Sequence, residues 1–159
     1  MQIHRIPSLR NPVMLCAFSG WNDAGEGATG ALEHLWETLC EDDNAPASQL
    51  IAEIDSEEFF DFQVNRPQVS LDELDNRTIT WPSTQIFAVS VPQFSRDLVI
   101  VKGIEPSMHW KSFVREILDL ADDLEVSLVI TVGSLLADVP HSRPISVGLS
   151  ASNPALAKN

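Results

Sequence analysis

The apolar positions of this chain change their spacing along its length, and the spacing marks the elements. Val13-Met14-Leu15-Cys16-Ala17-Phe18 is a continuous apolar run, the pattern of a strand buried on both faces. A polar, glycine-bearing stretch follows, from Ser19 to Asp23. Then Ala28, Ala31, Leu32, Leu35, Trp36 and Leu39 recur at three- and four-residue steps, which predicts a helix over about 24–40. Asn22 or Asp23 is placed to cap it, with Glu26 at the capping-box position. Glu41 to Pro46 ends the helix. Strands are expected at 49–54, 85–91 and 97–102, with a short extension at 78–81. A second helix, about 110–124, sets Phe113, Val114, Ile117, Leu118, Ala121 and Leu124 on one face. Ser127 to Val132 is a further strongly apolar strand. Strands that are apolar rather than alternating, separated by helices, predict an α/β fold with a three-layer α/β/α sheet containing parallel pairs.

The length, 159 residues, fits a single α/β domain over 1–159. Asn153-Pro154 reads as a helix cap and first turn, yet only five residues follow. A helix that short is not stable alone, so the chain is expected to be the N-terminal part of a longer protein. The first residues, Met1 to Pro7, carry no apolar run of signal-peptide length, and no stretch approaches the roughly 20 apolar residues of a membrane span. The expected location is the cytoplasm.

Charge changes the picture more than composition does. Ten Lys and Arg face 23 Asp and Glu, a net charge of −13. Such a field repels phosphate backbones and anionic lipid, so nucleic acid and membrane surfaces are poor partners. The two cysteines, Cys16 and Cys40, have no local ligand pattern and read as small buried hydrophobes. The four histidines, His4, His34, His109 and His141, are dispersed, and no metal is expected.

Four loci can carry chemistry. Gly25-Glu26-Gly27-Ala28-Thr29-Gly30 matches the dinucleotide fingerprint G-x-G-x-x-G, with Asp55 at the end of the next strand. Against it, Gly25 lies seven residues beyond Phe18, Asp23 and Glu26 would repel a pyrophosphate, and no Lys or Arg falls between Asn11 and Asn65. Close packing of the first helical turn explains the glycines, and no cofactor is expected. The loop from Ser19 to Gly25 lies where open α/β sheets bind ligands. There Trp21, Asn22 and Asp23 can cradle a polar ligand, or Trp21 can pack while the other two cap the helix. Next, Gly103 to Trp110 places Glu105 near His109 and Trp110 at a helix entry; acid–base work and a plain Ser107 cap both remain open. Lastly, Gly133 to Pro144 gathers Asp138, His141 and Arg143, residue types suited to binding an anion or a partner, or to anchoring the loop. Ser134 does not stand in the G-x-S-x-G elbow. Separately, Glu57-Glu58-Phe59-Phe60-Asp61-Phe62 is either an exposed, acid-flanked aromatic patch for a protein partner or an amphipathic strand.

The segments Phe18–Gly25, Ile54–Pro67, Thr80–Pro82, Lys102–Pro106 with Trp110, and Gly133–Pro144 together resemble the proteasome assembly chaperone family. The resemblance is to its chaperone-two-like branch of archaea and actinobacteria, with the C-terminal part apparently shortened. It covers nearly the whole chain in order. It implies a phosphorylase/hydrolase-like fold, homo- or hetero-oligomers, partners that include proteasome subunits, and no established catalytic set. The expected function is therefore protein binding and assembly without catalysis, with Trp21, Asn22, Asp23, Glu105, Trp110, Asp138, His141 and Arg143 as the ligand- or partner-binding candidates. The alternative is a nucleoside- or nucleotide-type binding protein, or a hydrolase, using the cleft at the C-terminal ends of the strands.

Overall fold

A computed structural model describes residues 1–40, 48–72 and 76–153. In chain order the elements are β1 (Gln2–Ile3), β2 (Val13–Ser19), a 3-10 turn (Ala24–Glu26), α1 (Gly27–Cys40), β3 (Ser48–Ile54), β4 (Gln68–Leu71), β5 (Arg77–Thr80), β6 (Thr84–Val89), β7 (Leu98–Ile104), α2 (Trp110–Asp123) and β8 (Leu128–Thr131). Six strands form one sheet in the order β1-β3-β6-β7-β2-β8, and β4 and β5 form a separate pair.

The apolar run of β2 explains its place inside the sheet. Met14 and Cys16 point into a core shared with Phe113, Ile117, Leu120 and Leu124 of α2. Ala17 points the other way, into a core with Ala28, Leu32 and Leu39 of α1. β7 divides likewise, Val99 and Val101 towards α2 and Ile100 towards α1. A strand apolar on both sides needs a helix over each, and the result is three layers. Each such aliphatic side chain taken fully out of water contributes about 1.5–3 kcal/mol.

Connection length sets strand direction. A short link joins β6 to β7 and makes them antiparallel, in register from Gln85 opposite Lys102 to Val89 opposite Leu98. α2 carries the chain back from β7 to β8, and both run parallel to β2, which lies between them. The C-terminal ends of β2, β7 and β8 therefore share one rim. At the opposite end, buried Asp97 fastens the β6–β7 link, accepting from the Arg10 backbone N–H at 2.8 Å, from Arg10 Nη2 at 2.6 Å and from the Val91 N–H at 3.1 Å. Burial works against the charge of this carboxylate, but those bonds outweigh it and hold Asp97 below the usual carboxylate range.

Several expectations need correction. Residues 57–62 are neither a strand nor an exposed patch. They form a turn that drives Phe59 and Phe60 into the α2-side core, where the Phe59 ring meets Phe113 edge-on at 5.4 Å. Backbone turning, not alternation, buries two adjacent aromatics at once. The 78–81 extension is β5, antiparallel to β4 with Val69 opposite Ile79. That hairpin keeps Val69, Leu71, Ile79 and Trp81 exposed and is tied to the body by Trp81 against Phe62, 4.9 Å between ring centres. The strand expected at 127–132 is β8, at the end of the sheet order. On α2, Leu120 is buried where Val114 and Leu118 were expected, and these two are each 47% exposed. The expected helix start at Asn153-Pro154 runs into residues outside the described ones.

Candidate functional site

The rim begins with Gly20, whose φ of 150° lies outside the range that side-chain-bearing residues favour. A Cβ there would also stand 2.8 Å from Glu105 Oε2. This tight turn brings the loop after β2 under the carboxylate of Glu105, which follows β7. Oε2 accepts from the Trp21 N–H at 3.0 Å, and Oε1 from the Asn22 N–H at 3.1 Å and the Asn22 side-chain amide at 2.9 Å. The Glu105 N–H returns a bond to the Ser19 carbonyl at 2.9 Å. Every one of these bonds holds a loop in shape. The indole they position is 86% exposed.

Asp23 is buried and does the capping, but across the intervening 3-10 turn rather than from the adjoining position. Its Oδ1 accepts from the N–H groups of Ala28 at 2.8 Å and Thr29 at 3.1 Å, while Oδ2 takes the Thr29 hydroxyl. Burial would raise the pKa of Asp23, yet bonds from Thr29, Ala28 and Ser134 prevail and lower it. Glu26, expected in a capping box, instead has φ of 56° inside the turn. Close packing accounts for one glycine of the pattern: a Cβ on Gly27 would lie 3.1 Å from the Ser134 side chain, whereas Gly25 is held by its φ of 63° and Gly30 has open space beside it. Ser134 joins this loop to the end of β8, with its N–H on the Asn22 carbonyl at 2.8 Å, its carbonyl on the Ala24 N–H at 3.0 Å, and its hydroxyl on the Ala24 carbonyl at 3.0 Å. The helix amides that would face an incoming phosphate are engaged by Asp23.

Glu105 and His109 serve different neighbours. Glu105 clamps the loop, and the His109 ring lies against Phe59 at 6.4 Å. Ser107 is not the cap of α2; His109, with φ of 54°, is the N-cap residue. The Ser107 hydroxyl instead accepts from the Asp61 N–H at 3.1 Å and the Asn65 side chain at 3.3 Å. Among the expected site residues, Asn22, Glu105 and Trp110 line a cleft of about 460 Å³ between α2 and β8, together with Phe18, Phe113 and Leu135. Trp21 stands exposed in the same loop as Asn22, and Asp23 lies buried behind it. Asp138, His141 and Arg143 do not line this cleft; they sit on an exposed stretch stabilised locally, by Val139 N–H to the Ala137 carbonyl and Arg143 N–H to the Pro140 carbonyl. The sequence reading missed Leu135 and Leu136, the second of which is 91% exposed. Two adjacent leucines directly after a Gly-Ser turn were the available signal. Among the described residues no three His, Cys, Asp or Glu side chains are grouped to hold a metal, and no helix is long and apolar enough to cross a membrane.

A model of the PAC2 family matches residues 17–159, which takes in every rim loop just described. The chain belongs to the PAC2 family. A PAC2 family protein of Streptomyces avermitilis is 47% identical to it, covers 92% of this chain and superposes with a TM-score of 0.81. A proteasome-assembly chaperone homologue of Mycobacterium tuberculosis is 39% identical over 92% of the chain, with a TM-score of 0.80. A second M. tuberculosis protein, of unknown function, is 25% identical over 98%, with a TM-score of 0.78. This chain spans 59% of the length of each of the first two structures and 53% of the third. No curated protein matches it. The mixed sheet with parallel pairs and flanking helices is the fold these PAC2 structures share.

Proposed function

We propose that this PAC2 protein works as an assembly factor that docks other protein subunits, proteasome subunits among them, on its rim. The observation that carries the reading is Trp21. An indole 86% exposed stands on a loop whose backbone is fixed by Glu105, and Leu136, 91% exposed, lies two residues beyond the Asp23–Ser134 bridge. Rigid, exposed aromatics lose little conformational entropy on docking and are enriched among the residues that dominate binding. The polar groups around them spend their hydrogen bonds on holding the loops. The kinship with a proteasome-assembly chaperone homologue supports the choice of partner. Self-association and residence in the cytoplasm belong to the same proposal.

Co-elution of the purified protein with separately purified 20S proteasome subunits of its own organism tests the reading. The expected result is a stable complex that Trp21→Ala or Leu136→Ala weakens at least about tenfold. No complex, or one indifferent to both substitutions, would overturn it. The cleft volume favours one competing reading, a nucleoside-type ligand. A saturable rise of several degrees in Tm with nucleosides or nucleotides, lost in Trp110→Ala, which alters the lining of that cleft, would favour that ligand instead.

A further inference from the structure

β4 and β5 form a sheet of two strands, and the four residues of each are all exposed. A lone hairpin is marginal in water; a third strand or a packed face normally supports it. Directly opposite residues of an antiparallel pair share a face. Val69 opposite Ile79 and Leu71 opposite Arg77 therefore stand on one side, and Trp81, two residues past Ile79, follows them. Val69 is 63% exposed, Leu71 61%, Ile79 55% and Trp81 51%. Among the described residues of this face, Arg77 alone is charged. The outer edge of β5 is open as well. The Asp72 N–H meets the Asn76 carbonyl at 3.1 Å, one step beyond the Leu71–Arg77 pair, and hydrogen-bonded pairs alternate along an antiparallel ladder. The backbone groups of Thr78 and Thr80 thus face β4, while those of Arg77 and Ile79 face away from it, where no described strand pairs with them.

We infer that the outer edge of β5 pairs with β5 of a second copy of this chain, antiparallel about a two-fold axis at Ile79, to give a four-stranded sheet. The occupant follows from the residues on the edge. An interface between two copies needs a patch complementary to itself. An axis at Ile79 sets Ile79 against Ile79 of the second copy, Arg77 against Trp81, Trp81 against Arg77, and Thr78 against Thr80. Each is a favourable cross-strand pair: an aliphatic contact at the centre, a cation with an aromatic ring on either side, and hydroxyl pairs on the opposite face. The outward backbone groups at 77 and 79 then all find partners. An axis one residue away, at Thr78, would set Arg77 against Ile79 and leave both indoles without a cation. The one charge of the face thus meets the electron-rich ring that the same chain supplies, at the distance from the axis that symmetry requires. The inference rests on the self-association included in the reading above and gives it a place; it uses none of the rim residues.

The test takes the 159-residue chain alone, with no proteasome subunit present. At about 100 µM, where even small interfaces are populated, sedimentation velocity should report a doubled mass. Ile79→Lys and Arg77→Glu should each weaken the dimer at least tenfold. Both should keep Tm within about 2 °C of the parent, because β4 and β5 belong to neither core. In a Cys40→Ser background, Ile79→Cys should form a disulfide-linked dimer on mild oxidation, since the two copies of residue 79 face each other about 5.5 Å apart at Cα. Val69→Cys lies in the same row one strand further out in each copy, about 14 Å from its equivalent, and should not cross-link. A dimer that Ile79→Lys leaves intact, or in which Ile79→Cys cross-links no better than Val69→Cys, overturns the inference and leaves self-association standing. A monomer at 100 µM overturns both, while docking at Trp21 keeps its own test. A monomer whose complex with 20S subunits is lost on Ile79→Lys would give the edge to an unlike protein and equally overturn the inference.

Discussion

The clamp formed by Glu105 can be broken by one substitution with a calculable effect. Glu105→Ala removes three hydrogen bonds, to the Trp21 N–H, the Asn22 N–H and the Asn22 side chain. The carboxylate is half-buried, so solvent screens part of each bond, and about 1 kcal/mol apiece is the fair scale. The total is a loss of about 2–3 kcal/mol, which in a domain of this size lowers Tm by about 5–10 °C. Glu105→Gln keeps one acceptor oxygen but turns an amide towards an N–H group, and about half that loss is expected. The effect is local as well as global. Exchange at the amides of Trp21 and Asn22 quickens at least tenfold, since each loses its acceptor. Thermal melting with residue-resolved hydrogen exchange reads both quantities. If Glu105→Ala melts within a degree of the parent and both amides keep their protection, the loop is not held as described and the argument for a preset Trp21 fails.

Further expectations rest on single contacts. Phe59→Ala empties a fully buried site against Phe113 and costs about 3–5 kcal/mol; urea titration with an unchanged m-value checks it. Asp97 has a depressed folded pKa, so its contribution is present above the unfolded value of about 3.9 and fades as pH falls through the folded one. Asp97→Asn should therefore destabilise at pH 7 and flatten the loss of stability below about pH 5, as seen in melts across pH. Burial pushes the Cys16 thiol up to about 12; in a Cys40→Ser background, Cys16 should react with a thiol reagent only at the unfolding rate.

The central layers were legible because their residues obey one rule each. The run at 13–18 admits only burial on both faces, and the three- and four-step pattern at 28–39 admits only a helix packed along one side. The same reasoning located β8 but not its place at the end of the sheet order, because an apolar run states that a strand needs cover and not which strands lie beside it. On α2, Val114 and Leu118 were read as core on the same ground, and they lie beside that outer strand. Phe59 and Phe60 were misassigned because adjacent aromatics can both be buried only by a turn, and the turn is held by distant donors, the N–H groups of Ser107 and Met108, which reach the Phe59 carbonyl at 2.8 and 3.2 Å. β4 is short and polar enough to escape pattern reading. At the rim, Trp21, Asn22 and Glu105 were recognised as a group worth attention, but the clamp between loops some 84 residues apart leaves no local trace in the sequence.

Whether the rim touches protein in the cell can be asked directly. A photoreactive phenylalanine analogue replaces Trp21 or Leu136 in the native host, with exposed His34 on α1 as the control position. The account predicts discrete higher-mass adducts containing a second polypeptide on illumination from positions 21 and 136 and none from 34. Rim positions that yield no adduct, or only the background seen at 34, would contradict it.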